Sequence, residues 1–313
     1  MMNPTNGASP TTPPARKKRL KSETREAIWG YIFISPWILG FLLFSAGPIL
    51  ATFYFSLTSY NVVQPPVWVG LDNYVKLFTG DPAFQKSLGV TLEYTLARVP
   101  LVIAVGIGLA ILVNKPSRLM NVFRLVFYFP AIIPLVAASI VWLWMLSPQF
   151  GFINPFFRDT FGIVLPNWLK NQSWALYAVI LLSIWQVGQT MMIFLAGLQE
   201  IPQELYEAAD IDGASTWRKF RSITVPMLTP TIYFNCIIIF ISSFQVFAAV
   251  FVLTNGGPAN RTMVYVMYLY RRGIEFLQMG YASAMAIILV LIVLALTILI
   301  MTTSNKWVNY DRT

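Results

Sequence analysis

Ile201-Pro-Gln-Glu-Leu-Tyr-Glu-Ala-Ala-Asp-Ile-Asp-Gly-Ala-Ser-Thr-Trp-Arg-Lys-Phe-Arg-Ser-Ile-Thr-Val-Pro226 is a polar stretch set in a strongly apolar region of the chain. Pro202 is a good first helical residue, and Glu204 places a negative charge in the first turn. Leu205, Ala208 and Ala209 share one face by the i, i+3, i+4 rule. Asp212-Gly213 is a turn signal. Ser215 is placed to cap a second short helix. That helix sets Trp217, Phe220 and Ile223 near one side, with Arg218, Lys219 and Arg221 largely elsewhere. Pro226 then opens the next apolar segment. The stretch predicts helix, turn, helix, lying against a membrane surface. Small residues with exposed aromatics suit docking into a partner's groove. The same pattern also serves a loop that packs on its own bundle.

The flanking sequence says which surface is meant. Of 313 residues, 57% are hydrophobic and 11% charged, against about 25% charged in soluble domains. One soluble core of this size could not hide that apolar surface; lipid can. Six segments approach the roughly 20 apolar residues that cross a bilayer. They run over about 31–55, 90–113, 123–146, 174–198, 227–253 and 281–301. The apolar piece 263–270 is too short to span and reads as interfacial or re-entrant. Residues 1–28 are polar, then basic (Arg16, Lys17, Lys18, Arg19, Lys21, Arg25), and read as a disordered tail before a retained membrane helix. More of the 22 Lys and Arg residues fall beside the tail than across from it. By the positive-inside rule this puts both termini in the cytoplasm. The expected fold is an all-α membrane protein with six transmembrane helices. Its divisions are a cytoplasmic tail (1–28), a first helix with an outer loop (29–87), a core domain (88–305) and a short cytoplasmic tail (306–313).

Composition also narrows the chemistry. There is no histidine and one cysteine, Cys236, inside an apolar segment. A disulfide within the chain is therefore impossible, and a Cys/His metal site cannot be built. The commonest general base is missing as well. No Gly-x4-Gly-Lys-Ser/Thr phosphate loop occurs, so ATP binding would belong to another chain. The net charge of +9 is distributed as membrane topology expects, so no nucleic-acid partner is expected. Trp29, Trp37, Trp68, Trp168, Trp174 and Trp307 sit near span ends, where interfacial aromatics belong on physical grounds alone. Pro100, Pro130 and Pro134 lie within or near spans, where kinks are the simple reading.

The polar stretch resembles the cytoplasmic signature of permeases in binding-protein-dependent ABC importers. That signature is Glu-Ala-Ala, three residues, Gly, nine residues, Ile, one residue, Leu-Pro. Here Glu207-Ala208-Ala209, Gly213, Ile223 and Val225-Pro226 fit every spacing, with Val225 in place of Leu. Further stretches resemble the carbohydrate-uptake branch (the maltose or multiple-sugar type). These are Arg124–Pro130, Trp142, Gly151–Asn154, Leu195–Pro202, Leu253–Pro258 and Gly280–Ala284. The resemblance implies a type I ABC importer permease in a bacterial-type plasma (inner) membrane. It implies that Glu207, Ala208, Ala209, Gly213, Ile223 and Pro226 form the coupling helix region, which would sit in a cleft of a separate ATPase. Ala208 and Ala209 would allow close approach, and Gly213 the turn. It implies partners: a second, different permease, an ABC ATPase dimer and an extracytoplasmic solute-binding protein. No cofactor would reside in this chain, and ATP would bind the ATPase subunits.

Polar residues inside spans often mark a pathway. Gln186, Gln189 and Thr190 lie in the fourth segment; Asn235, Ser242, Ser243 and Gln245 lie in the fifth. At about 100° per residue, Asn235, Ser242 and Gln245 fall within roughly a quarter of the helix circumference. Amides and hydroxyls suit sugar hydroxyls, which need donors and acceptors, and Trp142 or Trp144 could offer a flat face to a sugar ring. Interhelical packing uses the same residue types. Glu93 and Arg98, five apart, are a poor same-face pair and are expected near the outer interface or paired with other helices. An ion-coupled secondary transporter would need intramembrane carboxylates, of which Glu93 is the one candidate. An ABC permease for a non-sugar solute would show more charge along the pathway.

Overall fold

The computed structural model describes residues 22–308. The basic residues Arg16, Lys17, Lys18, Arg19 and Lys21, and Arg312 near the other terminus, lie outside them. The chain divides between Ala51 and Thr52 into two compact units.

The first unit is helical. Helix α1 (Ser22–Phe41) runs through one π turn (Leu42–Ala46) into α2 (Gly47–Ser56). The helix therefore begins ahead of the expected Tyr31. Its apolar side chains are exposed, among them Phe33, Trp37 and Phe44, as a lipid-facing helix requires.

The second unit is also almost all helix. A two-residue hairpin, β1 (Thr58–Ser59) with β2 (Val67–Trp68), precedes α3 (Asp72–Thr79). Helix α4 (Pro82–Val113) is the longest element. Asp81 caps it, its Oδ1 accepting from the Ala83 and Phe84 N–H groups at 3.1 Å each, and Pro82 takes the first position, where its missing N–H costs nothing. Pro100 does not break this helix.

The third and fourth apolar segments, expected as single helices, are each broken. Helices α5 (Arg118–Ile132) and α6 (Leu135–Met145) meet at 99°. Proline clashes with a helical residue before it; Ile133 is accordingly extended (φ −70, ψ 126) and Pro134 starts α6. Helix α7 (Ile153–Phe161) follows. Helices α8 (Ala175–Trp185) and α9 (Gly188–Gln199) meet at 48°. The two breaks are tied together: Gln186 Nε2 donates to the Pro130 and Ile133 carbonyls at 3.3 and 3.1 Å. Gly188 makes this approach possible, since a methyl there would come within 2.6 Å of the Phe127 carbonyl oxygen.

The polar stretch forms α10 (Gln203–Ile211) and α11 (Thr216–Lys219). Pro226 does not start a new element. Helix α11 continues through a π turn (Phe220–Thr224) into α12 (Val225–Phe244), one rod of 29 residues. The rod ends at Gln245, and a separate short helix, α13 (Ala248–Leu253), completes the fifth apolar segment. The 263–270 piece is a buried six-residue helix, α14 (Tyr265–Tyr270), followed by a π turn (Arg271–Glu275) and the last long helix, α15 (Met279–Ser304). Among the described residues four helices are long and apolar enough to cross a membrane, or up to six if each bent pair counts once. A large apolar core joins α4, α6, α8, α13, α14 and α15 through Tyr94, Leu176, Tyr265 and Met285. A second, around Ala110, Phe194 and Leu228, lies toward the polar loop and takes in Tyr206 and Ile223.

Candidate functional site

The candidate side chains gather in two places: the α10–α11 loop and a cavity beside α4, α9 and α12.

In the loop, helix α10 closes with a Schellman arrangement. Gly213 N–H donates to the Asp210 carbonyl at 3.0 Å and Ala214 N–H to that of Ala209 at 2.8 Å. This geometry needs a left-handed residue at its end, and Gly213 supplies it at φ +70. Ser215 then caps the next helix, accepting from Arg218 N–H at 3.3 Å. The loop is anchored on its inner side: Ile223 and Tyr206 pack on the second core, and the Tyr206 hydroxyl hydrogen-bonds Thr224 Oγ1 at 2.9 Å. Lys219 pairs with Asp210 at 2.7 Å on a solvated face, a contact of small energetic value. The outer side is bare. Glu207 and Ala208 are exposed, Ala209 is half-buried and Pro226 half-buried. Ile211 and Trp217 are 88% and 69% exposed, large apolar groups that the described residues leave mostly uncovered. A depression of about 450 Å³ between Ala209, Asp212, Ala214 and Arg218 lies on this loop.

The cavity is larger, about 780 Å³, within the range of small-molecule sites. Gln186, Gln189, Thr190, Asn235, Ser242 and Gln245 all line it. They are not equally free. Gln186 is held at the breaks, and Asn235 Nδ2 donates to the Thr231 carbonyl at 2.9 Å. Gln189 and Gln245 are exposed; Ser242 is exposed too, but its hydroxyl donates to the Ile239 carbonyl at 3.0 Å. Trp142 is not brought to this cavity. It is buried in the large core, edge-to-face with Trp185 at 5.9 Å between centroids.

Arg98 also lines the cavity, together with Tyr94. Its Nη1 donates to the Ile239 carbonyl (3.2 Å), Ser242 Oγ (3.0 Å) and Ser243 Oγ (2.7 Å). Of its two expected placements, near the outer interface or paired with another helix, the structure gives the second. The signal was available: a charge within a long apolar helix is a functional candidate by default.

Toward the other end of α4, Glu93 receives a two-pronged ion pair from Arg261 at 2.6 and 2.7 Å. Hydrogen bonding to Glu93 raises the Arg261 guanidinium above its ordinary value. Asp81 gathers a cluster that composition did not reveal. Its Oδ2 accepts from Tyr268 (2.6 Å), Tyr281 (2.5 Å) and Arg272 (3.2 Å). Burial works to raise the Asp81 carboxyl. The two phenols, the Phe84 N–H and the Arg272 charge outweigh it and hold the group below its ordinary value. Burial, and then the bond to Asp81, pushes the Tyr268 phenol up to about 12. This cluster pins the starts of α4 and α15 to the turn after α14. Among the described residues no group of His, Cys, Asp or Glu is placed to hold a metal ion.

The sequence pattern of the "binding-protein-dependent transport system inner membrane component" family matches residues 102–309. The chain belongs to this family. It is a multi-pass membrane protein and a permease component of ABC importers. The permease is 41% identical over 299 residues to the probable ABC transporter permease protein YesP of Bacillus subtilis (strain 168), covering 94% of this chain and 96% of that one. It is 34% identical to the arabinooligosaccharides transport system permease protein AraP of the same organism, covering 88% of each chain. The fold is that of a chain in the crystal structure of a bacterial alginate ABC transporter in complex with alginate pentasaccharide-bound periplasmic protein. The TM-score is 0.80 at 23% identity, over 92% of this chain and 98% of that one. The matched residues contain the polar loop and most of the cavity lining; Tyr94 and Arg98 lie just before them.

Proposed function

We propose that this permease is the membrane subunit of an ATP-driven sugar importer. The observation that carries the reading is the set of relatives named for oligosaccharide transport that match nearly end to end, AraP among them. The lactose transport system permease protein LacF of Rhizobium radiobacter, 33% identical over 86% of this chain, is another. The cavity supports it chemically: amide and hydroxyl groups both donate and accept, as sugar hydroxyls require.

In this reading each bent helix pair crosses the membrane once, giving six spans with both termini in the cytoplasm. The pathway forms at the contact with a second, different permease, and Gln186, Gln189, Asn235, Ser242 and Gln245 belong to it. Trp142 supports the wall from behind through Trp185. ATP is bound and hydrolysed by a dimer of separate ATPase subunits. Glu207, Ala208, Ala209 and Gly213 dock into a cleft of one of them, with Ile223 and Pro226 fixing the loop to the bundle. The bare apolar side chains Ile211 and Trp217 flank that contact. Substrate arrives on an extracytoplasmic binding protein, and lipid covers the remaining apolar faces.

The test is purification through this chain from its native membrane, with identification of what co-purifies, followed by sugar-stimulated ATP hydrolysis in liposomes. A second permease and an ATPase are expected. Reproducible recovery of this chain alone, with transport driven by an ion gradient, would instead support a secondary carrier. Stimulation by a non-sugar solute alone would keep the importer and remove the sugar.

A further inference from the structure

Of the described residues that line the cavity, only Arg98 carries a charge at neutral pH, and no Asp or Glu is among them. The nearest carboxylate in sequence, Glu93, is engaged through both oxygens by Arg261. A cation within a bilayer is costly and is ordinarily paired with an opposite charge or with backbone carbonyls. Here its partners are neutral: a carbonyl and two hydroxyls near the end of α12, all reached by Nη1. The negative end of that helix offsets part of the charge, but three contacts on one nitrogen leave most of the guanidinium's donor capacity unused. Nε is buried without a partner, and no hydrogen bond holds Nη2 among the described residues.

A neutral sugar would not require this arrangement. Gln189 and Gln245 already offer donors and acceptors for hydroxyl groups. A guanidinium adds the planar fork that matches a carboxylate, in a setting where the attraction is little screened by water. Tyr94 stands 5.9 Å from the guanidinium carbon and limits which way the fork can turn. Resting on the transport reading above, we propose that the cavity accepts an acidic saccharide, one bearing a carboxylate that pairs with Arg98. The neutral amides bind its hydroxyls.

Uptake in the native cell tests this with paired probes: oligogalacturonates and oligoglucuronates, and the same mixtures after methyl esterification. Esterification removes the charge and leaves the ring stereochemistry. Cells with the wild-type chain should take up the acids at least tenfold faster than the esters. Arg98→Gln should lose that difference, and Arg98→Lys, a cation without the fork, should keep part of it. Equal uptake of acids and esters by the wild type, or uptake of neutral sugars only, would overturn the proposal without involving any variant that misassembles. So would an Arg98→Gln chain, present in the membrane at normal level, that still prefers the acids. Deleting the chain separates the two levels: sugar uptake unaffected by deletion removes the transport reading itself.

Discussion

Gly213 and Asp81 show how single residues set geometry at opposite ends of the second unit. At Gly213 nothing lies within 4 Å of where a side chain would begin, so replacement is limited by backbone conformation alone. Gly213→Ala should cost about 1 kcal/mol through its left-handed φ and leave transport mostly intact. Gly213→Pro also forbids φ +70 and removes the N–H that donates to Asp210. It should abolish sugar-stimulated ATP hydrolysis in the reconstituted importer while the chain still inserts. Glu207→Lys should impair the same readout from an exposed position, by reversing the charge at the docking face. Normal stimulation in both would remove the coupling role. Asp81 has a folded-state value below its unfolded one, so it stabilises at neutral pH. That contribution should fall away as pH drops below about 4 and through the depressed value. Asp81→Asn should lower stability by about 1.5–3 kcal/mol near pH 7, with the gap from wild type closing on acidification. Thermal unfolding in detergent across pH reads this directly. A gap that widens in acid would contradict the assignment.

The broken spans are the element at which sequence and structure part. Apolar length located each of these segments, and the positions of Gly213 and Ser215 were legible because turn and cap chemistry is local. The 99° bend was not legible, although Pro134 marks it. Proline alone does not say whether a helix kinks or stops, as the unbroken α4 around Pro100 shows. What fixes the bend is Gln186, fifty-odd residues on in the chain and serving Pro130 and Ile133 together. Gln186→Leu should leave both carbonyls short of a buried donor, costing about 1–3 kcal/mol. Melting temperature should fall, and the drop should shrink little if Gln189 is also changed, since Gln189 makes no part of this contact. Arg98 pairs with another helix, one of its two expected placements, but which helix was not legible for a related reason. Spacing within α4 describes its relation to Glu93, but its partners stand on α12, more than a hundred residues away. The flat ring of Trp142 suits a sugar face, but packing against Trp185 decides where it lies.

At the scale of the whole molecule, the class of protein followed from composition, and the family from one loop. The number of crossings depends on how the bent pairs lie in lipid, which no local pattern encodes. In a Cys236→Ser background, Asp212→Cys should react with a membrane-impermeant thiol reagent only from the cytoplasmic side. Asn260→Cys should react only from the outside. Labelling of both from one face would overturn the six-span topology.

The unbroken rod from Thr216 to Phe244 has a mechanical consequence. At 1.5 Å per residue it is about 43 Å long, with the docking loop at one end and Ser242 at the other. With that loop docked as proposed, the rod would act as a lever: a tilt of roughly 5° about the loop end would sweep the far end by about 4 Å. Because the helix stops at Gln245, that stroke would reach the cavity wall and would not pass rigidly into α13. A single extra residue in the π turn would rotate the far end by about 100° and turn Ser242 away from the cavity, while leaving the docking loop unaltered.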